Sequence, residues 1–107
     1  MTFEEIVAKA KERTAKADPA KVDGFLAIQI NITGEGEGKF YVEVKDGVIS
    51  VEPYEYYDRQ AIVTMKSKNF LALLDGKLDP VLAFTLGKLK IDGSIDKVLE
   101  FSKLLKS

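Results

Sequence analysis

Residues 74–94 read LDGKLDPVLAFTLGKLKIDGS. Two Gly-Lys-Leu triplets, Gly76-Lys77-Leu78 and Gly87-Lys88-Leu89, bracket Asp79-Pro80-Val81-Leu82-Ala83-Phe84-Thr85-Leu86. A glycine just past an apolar run stops a helix, because it adopts the left-handed backbone without strain. Asp79 can cap a helix start and Pro80 suits the first helical position. The stretch therefore predicts a short helix running up to Gly87, followed by a strand at 89–92. Upstream, Ser67 is placed to cap a helix through Asp75 that Gly76 ends. Downstream, Ser94 is placed to cap a last helix with Ile95, Val98, Leu99, Phe101, Leu104 and Leu105 apolar. The middle helix is unusual. It is apolar on nearly every side, whereas a surface helix needs one apolar stripe.

The first half has a different period. Residues 2–16 read as an amphipathic helix: Thr2 and Glu5 make a capping-box pair, and Phe3, Ile6, Val7 and Ala10 share a face. Asp18-Pro19 stops it. Residues 25–33 alternate, with Ile28, Ile30 and Ile32 on one side and Gln29, Asn31 and Thr33 on the other. A glycine-rich loop at 34–38 leads to a second alternating run at 40–45, and Asp46-Gly47 is a hairpin turn signal. Strands at 48–52 and 61–66 follow. Three or four such strands in succession, joined by short turns, predict an antiparallel meander. The order is α-β-β-β-β-α-α-β-α, an α+β fold in one domain of 107 residues, with the helices on one sheet face. Alternation directs Ile28, Ile30, Phe40, Val42, Ile49, Val51, Val63, Met65, Leu89 and Ile91 toward those helices.

Composition excludes several chemistries. The chain holds no Cys and no His, which removes disulfides, thiol nucleophiles, Cys/His zinc sites and His-based triads. A net charge of -1 lacks the positive field that nucleic acid demands, so no nucleic-acid partner is expected. No segment approaches the roughly 18 continuous apolar residues of a membrane span. The start, MTFEEIVAKAK, is acidic at once and carries no apolar signal-peptide run, and a cytoplasmic location is expected. Ser102-Lys103-Leu104 stands three residues before the last residue and is not expected to act as a peroxisomal address.

The run AIVTMKSKNFLALLDGKLDPVLAFTLGKLKIDGSIDKVLEFSKLL resembles the second half of the sterol carrier protein type of lipid-transfer domain. The likeness rests on Ser67, on Phe70 and Leu73, on Gly76-Lys77-Leu78, on Pro80, on Ala83-Phe84, and on Gly87-Lys88-Leu89-Lys90-Ile91 with Gly93. ITGEGEGKFYVEVKDG is similar to the family's first hairpin. The segment Gly93-Ser94-Ile95-Asp96-Lys97-Val98 departs from it in being less Met-rich. The resemblance implies a five-stranded, mainly antiparallel sheet covered on one face by helices, with an apolar tunnel between the layers. It implies binding of fatty acids, acyl-CoA esters, sterols or phospholipids, without cofactor and without catalysis.

The apolar set that would touch such a ligand is Phe70, Leu73, Leu74, Leu78, Leu82, Phe84 and Leu86 from the two short helices and their loop, Met65 from the sheet, and Ile95, Val98, Leu99 and Leu105 from the last helix. Each residue alone fits an ordinary core helix; the cluster with the family likeness favours a lipid cavity. The alternative is an accessory or protein-interaction domain with the same fold, a collapsed core and no physiological lipid. The partner expected under the first reading is a lipid or other long apolar molecule. Lys66, Lys68, Lys77, Lys88 and Lys90 form a basic set around the two helices that could meet a membrane surface transiently. PYEYYDRQ, residues 53–60, reads as a surface loop whose tyrosines cover the sheet edge, or as a tunnel mouth. Glu52, Glu55 and Asp58 are acidic but solvated, and the 34–38 glycines join strands rather than feeding a helix as phosphate loops do.

Overall fold

The computed structural model describes residues 1–22 and 24–105. Four helices and five strands follow the expected order: α1 (Phe3–Ala15), β1 (Leu26–Thr33), β2 (Gly38–Lys45), β3 (Val48–Glu52), β4 (Ala61–Lys66), α2 (Ser67–Leu74), α3 (Pro80–Thr85), β5 (Leu89–Gly93) and α4 (Ile95–Leu105). A 3-10 turn, Pro19–Lys21, sits between α1 and β1.

Local signals act as their chemistry requires. At α1 the Thr2 hydroxyl accepts from the Glu5 amide at 3.2 Å, and the Glu5 carboxylate accepts from the Thr2 amide at 2.9 Å. Asp79 accepts from the Val81 amide at 2.8 Å, with Pro80 in the first helical position. Ser94 accepts from the Lys97 amide at 3.3 Å. The two Gly-Lys-Leu triplets are one device used twice. Gly76 and Gly87 take φ of 72° and 74°, and each begins the same pair of closing bonds. Gly76 N donates to Leu73 O and Lys77 N to Ala72 O; Gly87 N donates to Phe84 O and Lys88 N to Ala83 O. Both are Schellman caps. Ser67 differs from expectation. It is the first helical residue rather than the cap, and Lys66 at the cap position makes no side-chain bond.

The strand order is β3-β2-β1-β4-β5. β1, β2 and β3 form the expected meander, but β4 does not continue it. β4 runs parallel to β1, with Ile28, Ile30 and Ile32 opposite Ala61, Val63 and Met65. The meander is therefore three strands long, the shorter of the two lengths expected, and the sheet is mainly antiparallel. The physical reason is the 53–60 segment, which returns the chain over the outer face of the sheet to the free side of β1. Its Tyr56 amide donates to Gln29 Oε1 at 3.2 Å, its Tyr56 hydroxyl donates to Glu43, and the Tyr41 and Tyr56 rings lie 4.8 Å apart. Gln60 then acts as a surrogate strand partner, accepting from Ala27 N and donating to Phe25 O. Ala27 and Gln29, on the face expected to be open to water, are consequently buried.

The other face carries the core. Ile28, Ile30, Phe40, Val42, Val51, Val63, Met65 and Leu89 are buried there, with Ile49 and Ile91 packed against them. Phe40 is its hub. Phe3 of α1 lies 6.2 Å from it and Phe70 of α2 meets it edge-on at 5.5 Å. α4 adds Val98, Phe101, Leu104 and Leu105.

Candidate functional site

Where the end of α1, α2, the 75–79 loop, the start of α3 and α4 converge, the helical layer leaves a cleft of about 590 Å³. Leu73 and Leu74 come from the last turn of α2, Leu78 from the loop, Leu82 from α3 and Leu105 from the end of α4. The first Schellman cap and the Asp79 N-cap shape this place. The first ends α2 abruptly enough for Leu78 to fold back, and Asp79 starts α3 two residues after Lys77. Among the described residues no strand residue lines the cleft, so its walls are helix and the 75–79 loop.

Polar groups sit at defined points of the wall. Arg13, Ser102, Asp75, Lys77 and Asp79 line it. Asp79 is engaged in capping α3. Arg13 is half-buried, and among the described residues its guanidinium has no carboxylate partner. Ser102 is buried. The arrangement can hold an apolar chain against the leucines with its polar end near Arg13 and Lys77.

The twelve residues singled out from sequence fall into three groups. Leu73, Leu74, Leu78, Leu82 and Leu105 meet at the cleft. Phe70, Met65 and Val98 are buried in the core. Phe84, Leu86, Ile95 and Leu99 stand at the surface, between 37% and 59% exposed. Arg13 and Ser102 were missed, yet both left a signal. Arg13 continues the Ile6, Val7, Ala10 stripe of α1, and Ser102 lies one turn after Val98 on the apolar side of α4. A polar residue interrupting an apolar stripe on two helices marks their shared cleft.

The 53–60 segment belongs elsewhere. It lies on the outer sheet face, where the hydrogen bond to Glu43 pushes the Tyr56 phenol up to about 12, assisted by desolvation. Tyr41 is raised as well, chiefly by burial. Glu55 forms an exposed pair with Lys39 at 3.0 Å. Among the described residues no group of three acidic side chains is placed to hold a metal ion.

The sequence matches the SCP-2 sterol transfer family over residues 3–106. The chain belongs to this family. A relative in the SCP-2 family, sterol carrier protein 2 of Homo sapiens, is 33% identical over 105 residues, covering 97% of this chain and 19% of that protein. The chain thus spans about a fifth of the length of the curated relatives it matches. The SCP-2 fold is equally clear in solved structures. The solution structure of sterol carrier protein-2 from Aedes aegypti in complex with palmitate, a C16 fatty acid, superposes with a TM-score of 0.70 at 21% identity, over 98% of this chain and 94% of that one. The sec-alkylsulfatase Pisa1 from Pseudomonas contains the same fold as 15% of its chain, with a TM-score of 0.76 and 21% identity over 88% of this chain.

Proposed function

We propose that this protein is a non-catalytic carrier that binds a lipid with one long hydrocarbon tail and an anionic head group. The observation that carries the reading is the cleft whose wall is five leucines with Arg13 and Lys77 among its polar groups. Family membership and the palmitate held by the mosquito relative support it. The tail lies against Leu73, Leu74, Leu78, Leu82 and Leu105; the head group meets Arg13 as a charge-assisted pair. The volume fits, since small-molecule sites usually measure ~300–1,000 Å³. Each buried methylene contributes roughly 0.8 kcal/mol, so a tail of about 16 carbons gains on the order of 12 kcal/mol before ordering costs. Net affinity in the ~micromolar range follows, with tolerance for several tails because burial is non-directional. Phe84, Leu86, Ile95 and Leu99 would extend the apolar path beyond the cleft.

The test is direct. Organic extracts of the purified protein, examined by mass spectrometry, should contain a fatty acid or related lipid near stoichiometry. Titration with a fluorescent fatty acid should saturate at one site. Leu82→Glu should abolish uptake without unfolding the protein, because Leu82 is already 54% exposed. Arg13→Gln should weaken binding of a free fatty acid and leave that of its methyl ester unchanged. A protein that purifies empty and ignores the fluorescent acid overturns the reading. That result would favour the second one, an accessory module, which the occurrence of this fold inside a much longer sulfatase supports.

A further inference from the structure

The two edges of the sheet are built differently. β5 carries the exposed charges Lys90 and Asp92, which discourage a further strand. β3 reads Val-Ile-Ser-Val-Glu, rich in β-branched residues and without lysine, proline or glycine. The Asp46-Gly47 turn, with φ of 52° and 77°, closes a two-residue hairpin, so Lys45 and Val48 form a hydrogen-bonded pair. Alternation from that pair directs the backbone groups of Val48, Ser50 and Glu52 to β2. It turns the amides and carbonyls of Ile49 and Val51 to the open edge. Among the described residues no other element bonds them there. Alongside this edge, Thr14 and Ala15 of α1 and residues 49–52 line a groove of about 280 Å³.

We propose that a second copy of this chain extends the sheet at β3, the two β3 strands pairing antiparallel about a two-fold axis at Ser50. This centre sets Ile49 opposite Val51 of the second copy and Val51 opposite its Ile49, which makes about four backbone hydrogen bonds. A centre at Ile49 or Val51 would pair only that residue and leave the other facing Gly47 or Pro53. The side chains agree with the register. Ile49 of each copy, half-buried in its own, comes up to the groove beside α1 of the other. Glu52 falls opposite Val48 of the second copy, whose hairpin neighbour is Lys45. The two long side chains can meet across the exposed valine, and the axis makes this pair twice. Among the described residues neither Glu52 nor Lys45 is ion-paired within one copy. An unrelated extended peptide would find the hydrogen bonds but not these pairs. Strands of five residues bury less than the roughly 1,200 Å² of a stable complex, so the association is weak and concentration-dependent. None of these edge residues lines the leucine cleft, so the contact stands apart from the proposed cargo.

The chain has no cysteine, which gives a clean test of the register. Residues at the axis form a non-hydrogen-bonded pair with Cα atoms about 4.5 Å apart, inside the disulfide range of ~4.4–6.8 Å. Ser50→Cys should therefore form a covalent dimer under mild oxidation. Val48→Cys should remain monomeric, because its mate lies roughly 14 Å away across the axis. Random collision would give the opposite order, since Val48 is 61% exposed and Ser50 only half-buried. Sedimentation equilibrium of the parent should show the average mass climbing from one chain toward two as concentration approaches ~1 mM, the weak end of specific association. Ser50→Lys should lose that rise, because it places like charges on the axis, and its unchanged circular dichroism would verify the fold. A parent that stays monomeric throughout overturns the proposal. So does crosslinking of Val48→Cys as fast as Ser50→Cys, or association of folded Ser50→Lys equal to the parent's.

Discussion

α2 and α3 end in the same cap and use their apolar residues in opposite ways. α2 directs Phe70, Leu73 and Leu74 inward, at the i, i+3, i+4 spacing of a core-facing stripe, and Phe70 is fully buried against Phe40. α3 buries its small residues, Pro80 and Ala83, and turns Val81, Leu82 and Phe84 outward, with its C-cap Leu86 exposed beside them. Ala83 is the side chain it buries completely. Two helices of similar composition are thus a core element and an inside-out surface element. Apolar content alone does not specify burial; the spacing of the large side chains relative to the anchoring one does.

This contrast can be broken by substitution. The largest effect belongs to Phe70→Ala, which should cost about 3–5 kcal/mol in denaturant unfolding because the hub around Phe40 cannot collapse into the space. Next comes Ala83→Leu, which enlarges a side chain with no exposure at all and should cost about 1–3 kcal/mol by overpacking α3 against β5. Gly76→Ala and Gly87→Ala should cost about 1–2 kcal/mol each and equally. A Cβ at either position meets open space, so the left-handed backbone is the whole of the penalty. Leu86→Ala should change stability by less than about 0.5 kcal/mol, as surface substitutions do. A loss several times larger there would mean α3 is core after all.

A last test lies outside both helices and provides a baseline. The Tyr56 phenol is raised from 10 to about 12 in the folded protein. Between those pH values the unfolded chain has lost this proton and the folded chain keeps it. The contribution is therefore complete below pH 10 and lost as pH rises toward 12. Unfolding midpoints of the parent should fall more steeply over that interval than those of Tyr56→Phe.

Much of the fold was legible because local signals and burial agreed. Alternation at Ile28-Ile30-Ile32, Phe40-Val42-Val44 and Val63-Met65 named the strands and their inward faces, and Asp79-Pro80 with the two glycines bounded α3. Pairing was not legible in the same way. Alternation says which side of β4 faces the core, but nothing in Ala61–Lys66 says that its neighbour is β1 running parallel. That choice is made by the Tyr56 and Gln60 contacts, which are non-local. At the candidate site, the leucines were legible as apolar residues but not as cleft wall, core or surface. Phe70, Leu82 and Leu86 have the same chemistry and three different surroundings. Arg13 and Ser102 escaped notice because each is ordinary in its own helix and informative only beside the other.

The parallel seam between β1 and β4 divides the sheet into two consecutive pieces of chain, β3-β2-β1 before the 53–60 segment and β4-β5 after it. Tyr57, 90% exposed within that segment, offers a natural place to cut the backbone. The resulting halves would each display an unpaired edge, β1 on one and β4 on the other. They should be sticky apart and reassemble when mixed, which makes the molecule a candidate for fragment complementation.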